Sequence, residues 1–181
     1  FNTVPAASCT FAVTGATTGS CTYTVGAGET SADLDATVSG TIRDASNNLL
    51  SVFTPGISLG TAKNIVIDTT APTVGTIATA HANGSYTIGA SIDFTIPFSE
   101  SVTVTGTPTL ALNSGGSASF ASGSGSNTLT FTYVVAATET SGDLDYAGTN
   151  SLALSGGTIL DVAGNAATLT LAAPGTISGG Q

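Results

Sequence analysis

Few side chains in this 181-residue chain can do chemistry: eleven carboxylates, one histidine (His81), two cysteines (Cys9 and Cys21) and two basic residues, Arg43 and Lys63. The carboxylates are not scattered, since nine of the eleven lie in or beside two matching segments or the stretch that links them. Thr22 to Asp35, TYTVGAGETSADLD, returns as Thr132 to Asp145, TYVVAATETSGDLD, matching at ten of fourteen positions without a gap at an offset of 110. In an extended segment, residues two apart project to the same side. Asp33 with Asp35, and Asp143 with Asp145, therefore each offer two oxygens to one hard cation while the intervening Leu turns inward. Ca²⁺ needs about six to eight such oxygens. Backbone carbonyls, Asp68 or Glu100 could complete the shell, and a metal shared by Asp68, Glu100 and an Asp-Leu-Asp loop would stiffen a junction. The alternative is a set of solvated loop carboxylates.

Other chemistry has less to work with. The two cysteines are twelve positions apart with no Cys-x-x-Cys and one histidine in the whole chain, which does not make a zinc site. His81 lies among small residues, with no nucleophile or acid beside it. Paired carboxylates that hydrolyse glycosides must flank a cleft, and there is no Trp to hold a sugar. No enzyme is expected. Asn83-Gly-Ser85 fits a glycosylation acceptor and also a plain turn. A net charge of −9 repels nucleic-acid backbones and anionic lipid. No apolar run is long enough to span a membrane.

A recurrence of this size is the signature of tandem domains. Short alternating strands punctuated by Gly, Asn and Pro indicate β-sandwiches. In the first copy, strands are expected at Ala7 to Val13, Ser20 to Val25, Ala36 to Arg43 and Leu49 to Phe53. A turn falls over Gly15 to Gly19, and Ile65 and Ile67 belong to a closing strand before Asp68-Thr-Thr-Ala-Pro72. In the second copy, Ile92, Phe94, Ile96 and Phe98 alternate with Asp93, Thr95, Pro97 and Ser99, a half-buried strand. Pro97 cannot donate to a ladder, so that strand lies at an edge or bulges there. Val102 and Val104, Leu110 and Leu112, Leu129 to Val135 and Ala167 to Ala172 follow. Asp44-Ala-Ser-Asn-Asn48 and Asp161-Val-Ala-Gly-Asn165 are turns by their chemistry, and Asp161 is also a candidate ligand. Cys9 and Cys21 fall on paired strands, where a disulfide can close; two buried thiols are the other reading. An oxidised pair belongs outside the cytosol.

Ile67-Asp-Thr-Thr-Ala-Pro72, Phe98-Ser-Glu-Ser-Val102, Thr109-Leu-Ala-Leu112, Gly142-Asp-Leu-Asp-Tyr146 and Asp161-Val-Ala-Gly-Asn165 occur in that order over nearly the whole chain. In this the chain resembles the bacterial immunoglobulin-like repeats of large secreted adhesins and other cell-surface proteins. The resemblance implies an all-β protein of tandem immunoglobulin-like β-sandwiches outside a bacterial cell, often stiffened by Ca²⁺. Residues 1–70 would be a partial sandwich, incomplete at its N-terminus, and 71–181 a complete one. The expected role is a non-catalytic module of a surface fibre, surface layer or adhesin stalk. Its partners would be other copies or neighbouring repeats, with strand donation between subunits as one mode of assembly. The alternative is an adhesive module that recognises a carbohydrate or protein ligand at the cell surface through its loops.

Overall fold

The computed structural model describes residues 1–11, 18–50, 54, 56–175 and 177. The expected strand positions 12–13 and 51–53, the turn positions 15–17 and Pro55 lie outside them. The chain divides into two compact units, Phe1–Thr70 and Ala71–Gln181, and the break falls inside the Asp68-Thr-Thr-Ala-Pro72 segment.

The second unit is a curled antiparallel sheet. Its strands are β1 (Ala78–Thr79), β2 (Ser91–Thr105), β3 (Thr109–Ala111), β4 (Ser117–Ser122), β5 (Ser126–Val134), β6 (Leu152–Ala153) and β7 (Thr158–Leu160). They run in the order β1-β2-β5-β4-β3-β6, and β7 pairs with the far end of β2. The period-two pattern explains β2: Ile92, Phe94, Ile96 and Phe98 are all buried while the residues between them face outward. On β5, Leu129, Phe131 and Tyr133 are buried, with Phe94 opposite Phe131 and Ile92 opposite Tyr133. Each such side chain contributes about 1.5–3 kcal/mol by leaving water.

Pro97 does not lie on a free edge, because the first half of β2 is flanked by β1 and β5. The register against β5 breaks between Pro97 and Val102. That irregularity is what a residue without an N–H imposes, and it frees Thr103 to Thr105 to pair with β7. Val102 and Val104, expected as further core, thus belong to the same strand as Ile92 to Phe98. Ala167 to Ala172 forms no ladder; its segment makes only isolated bridges, Leu160 to Ala166 and Thr73 to Thr168. Gly123 has a φ of +102°, and a Cβ there would stand 2.3 Å from the Thr128 carbonyl oxygen, so the β4–β5 turn requires glycine.

The first unit departs from expectation. Among its described residues there is no extended ladder, only isolated bridges at Val4–Thr30, Ser31–Ile67 and Arg43–Leu49, plus one helix, α1 (Leu59–Ala62). Ser20 to Val25 and Ala36 to Arg43 are therefore not regular strands. Leu34 is the one buried apolar side chain described there, while Val4, Val25, Leu49, Ile57 and Val66 are exposed. A strand needs a neighbour to satisfy its backbone and an apolar face to hold it, and this unit provides little of either. Cys9 and Cys21 are bonded, with Cα atoms 5.9 Å apart.

Candidate functional site

The duplicated acidic segment makes the same hydrogen bonds in each unit. In the second, Glu139 Oε2 accepts from the Tyr133 hydroxyl and the Ala136 N–H, both at 2.8 Å. In the first, Glu29 Oε2 accepts from the Tyr23 hydroxyl at 2.7 Å and the Gly26 N–H at 2.6 Å. The Gly26 amide, followed by the Tyr23 hydroxyl, holds the Glu29 carboxyl below the usual range. Burial, with the neighbouring Glu29 or Glu139, raises both Tyr23 and Tyr133. Gly116 leaves room for the second pair, since a Cβ there would stand 2.5 Å from Glu139 Oε1 and 2.8 Å from the Tyr133 ring.

An asparagine that the repeat alignment did not single out completes the network. Asn113 donates through Nδ2 to the Asp143 carbonyl at 2.8 Å, and its Oδ1 accepts from the Asp145 N–H at 3.1 Å and Ser141 Oγ at 3.0 Å. Asn2, 111 positions earlier, donates to the Asp33 carbonyl at 2.8 Å and accepts from the Asp35 N–H at 2.8 Å and Ser31 Oγ at 3.1 Å. Backbone bonds from Asn2 N–H to the Asp35 carbonyl and from Asn113 N–H to the Asp145 carbonyl finish each clamp. The one-residue change of offset, from 110 to 111, hid this match. The offset of 111 places Cys9 where Phe120 stands, while Cys21 keeps the offset of 110 and falls on Phe131. Phe120 and Phe131 are cross-strand partners with rings 5.9 Å apart, edge to face. The disulfide of the first unit thus occupies the position of an aromatic pair in the second.

Three of the motif's four aspartates, Asp33, Asp35 and Asp145, accept from backbone N–H groups. Asp35 accepts from the Ala36 N–H at 2.8 Å. That bond and the next largest contribution, from the Gly60 amide at α1, hold its carboxyl below the usual range. Asp33 accepts from the Ile65 N–H at 3.4 Å, and both it and Asp35 crowd Gly60, so the two do project to one side. Asp145 accepts from the Tyr146 N–H at 2.7 Å and from the Gly175 N–H. Neither Asp33 with Asp35 nor Asp143 with Asp145 belongs to a group of three or more convergent His, Cys, Asp or Glu side chains among the described residues.

Glu100 and Asp161, in the second unit, do converge, with carboxylate oxygens within 4.8 Å of one another. Asp161 is buried and closes the expected turn, accepting from Asn165 N–H at 2.8 Å and Nδ2 at 2.7 Å. Burial pushes its pKa up, but the bonds from Asn165, Gly164 and Ala163 outweigh this and hold it below the ordinary value. Asp44 builds the same turn with Ser46 and Asn48. Asp68, at the end of the first unit, accepts from the Thr70 N–H at 2.9 Å. Asn83 sits in an exposed bend with Gly84.

His81 stands edge-on to Tyr86, ring centroids 6.0 Å apart, and the pair lines a cleft of the second unit together with Glu139 and Asp143. Sequence gave no hint of this meeting, because the residues are some sixty positions apart. No helix among the described residues is long and apolar enough to cross a membrane. The fold defines an all-β protein with a disulfide-closed first unit and a curled antiparallel sheet in the second. No family model, curated protein or solved structure matches the chain.

The clamp makes a direct prediction. Asn113→Ala removes three side-chain hydrogen bonds worth about 1 kcal/mol each, so the second unit should lose about 2–3 kcal/mol in urea unfolding. Amides of residues 141–146 should lose hydrogen-exchange protection. A loss below about 0.5 kcal/mol would show that the clamp is decorative.

Proposed function

We propose that this chain is a non-catalytic structural module of a bacterial extracellular fibre, surface layer or adhesin stalk, built of tandem immunoglobulin-like β-sandwich units of which the first is partial. The observation that supports it most is the duplicated clamp. The same Glu and Asn side chains hold the same backbone atoms in both units, and Asp35 and Asp145 each accept from the N–H of the next residue. That is what a repeated mechanical element needs and what a single reactive centre does not. A disulfide in the first unit fits an oxidising location.

In this reading Ca²⁺ stiffens the chain. Carboxylates are the hard oxygen donors it prefers, and Glu100 and Asp161 of the second unit offer theirs within 4.8 Å of one another. Assembly proceeds by strand donation between subunits. Cys21 and Tyr23 hold the places of Phe131 and Tyr133, which pair with β2 in the second unit. A strand with the alternating pattern of β2 is therefore the fitting complement to the exposed apolar residues of the first.

Calorimetry and sedimentation on the full chain test both features together. A cation that binds only the native state at 100 times its Kd adds about 2.7 kcal/mol, so Ca²⁺ should raise Tm by several degrees relative to EGTA, and Glu100→Gln should abolish the rise. Sedimentation should show concentration-dependent association. Equal Tm values with Ca²⁺ and EGTA would remove the metal, and a monomer at all concentrations would remove strand donation.

The second reading is an adhesive module that recognises a carbohydrate or protein ligand through its loops. The exposed aromatic at the cleft of the second unit favours it.

A further inference from the structure

The cleft of the second unit encloses about 500 Å³, within the range of sites that hold small ligands. Two loops frame it. One carries His81, Asn83 and Tyr86; the other is the acidic loop with Glu139, Ser141 and Asp143. Its floor is the apolar core at Ile92, Phe94 and Tyr133.

Tyr86 is 41% exposed, yet it is not loose. Its hydroxyl donates to the Ala82 carbonyl at 2.6 Å, and its ring meets His81 edge-on. The opposite wall is fixed as firmly, through Glu139 on Tyr133 and Ala136 and through Asn113 on Ser141 and the Asp143 backbone. A cleft whose walls are already ordered costs a ligand little to enter.

Charge selects among ligands. Both basic residues of the chain, Arg43 and Lys63, precede the second unit, which carries six carboxylates. Anionic ligands are repelled there. A quaternary ammonium seeks the faces of several aromatic rings, and here one tyrosine is exposed with an imidazole edge-on to it. What remains is a neutral ligand that has an apolar face for a ring and many hydroxyls for amide, hydroxyl and carboxylate partners.

We infer that this cleft binds a neutral saccharide, which lays one pyranose face on Tyr86 and directs its hydroxyls to Asn83, Ser141 and Asp143. The inference rests on the adhesive reading above and gives that reading its ligand class and its residues.

The test is titration of the full chain, by calorimetry and saturation-transfer NMR, with glucose, galactose, mannose, N-acetylglucosamine, lactose and cellobiose. Choline and N-acetylneuraminic acid serve as charged comparators. At least one neutral sugar should bind saturably, and the comparators should not. Tyr86→Ala should weaken binding about tenfold or more, and Asn83→Ala, on an exposed bend, by about threefold, with Tm unchanged. Tyr86→Phe should keep most of the affinity. Binding of none of the six sugars, affinity unaltered in Tyr86→Ala and Asn83→Ala, or saturation by choline alone would overturn the inference. The Ca²⁺ and sedimentation results do not involve Tyr86, so a chain that passes those and binds no sugar loses this inference and keeps the structural role.

Discussion

Reduction of the Cys9–Cys21 bond, or Cys→Ser at both positions, should unfold Phe1–Thr70 under conditions where Ala71–Gln181 stays native. Closing a loop of this size restrains the unfolded chain by about 3 kcal/mol. A 70-residue unit of ordinary stability holds only about 3.5–10 kcal/mol in all. This one has a single buried apolar side chain among its described residues, so it belongs at the lower end. The disulfide also stands where the second unit has its Phe120–Phe131 contact, and among the described residues the ring contact of the first unit is Phe1 against Tyr23, centroids 4.6 Å apart, which is not covalent. Hydrogen exchange separates the units: the amides of Val4, Ser31, Leu34 and Ile67, which are bonded within the first unit, should lose protection on reduction, while those of β2 and β5 should not change. Undiminished protection at these four amides would show that the first unit is held by something other than its disulfide.

Phe94→Ala should cost the second unit about 3–5 kcal/mol, the range for truncating a buried aromatic ring. Phe94 is 1% exposed in the first half of β2, opposite Phe131. The surrounding side chains come from a sheet paired on both sides, so the space cannot close by a simple shift. For a unit of this size the loss corresponds to a Tm lower by about 12–20 °C. Phe94→Leu, which keeps most of the volume, should recover more than half of that. A loss under about 1 kcal/mol in Phe94→Ala would mean that the inward face of β2 is not the centre of the core.

These two outcomes draw on features that differ in how openly they were written. The core of the second unit was legible because a strand with one buried face must alternate, and Ile92 to Phe98 do so without interruption. The bulge at Pro97 was legible from the missing N–H, although whether it marked an edge or a register break depended on β1, a two-residue strand too short to leave a pattern. The strands of the first unit were over-read. Tyr23 and Val25 alternate with small residues as Tyr133 and Val135 do, but alternation states which face a strand would bury, not whether a partner is there to bury it. The turns at Asp44 and Asp161 were legible in their Asx chemistry, which acts over four residues.

By itself, the sequence determined what is local: the strand period, the Asx turns, the near-absence of helix, the short loop that lets Cys9 reach Cys21, and the duplication that makes two segments alike. Only the tertiary structure decided what the acidic motif does at its backbone. Asn113 reaches Asp143 and Asp145 across some thirty residues, as Asn2 reaches Asp33 and Asp35, and nothing in the spacing of the carboxylates foretells that partner. The cleft at Tyr86 came from the same source, since two loops far apart in the chain face each other only after β2 and β5 have paired. Period and turn chemistry act between near neighbours, whereas the partners of a polar side chain are chosen by which strands the fold has already brought together.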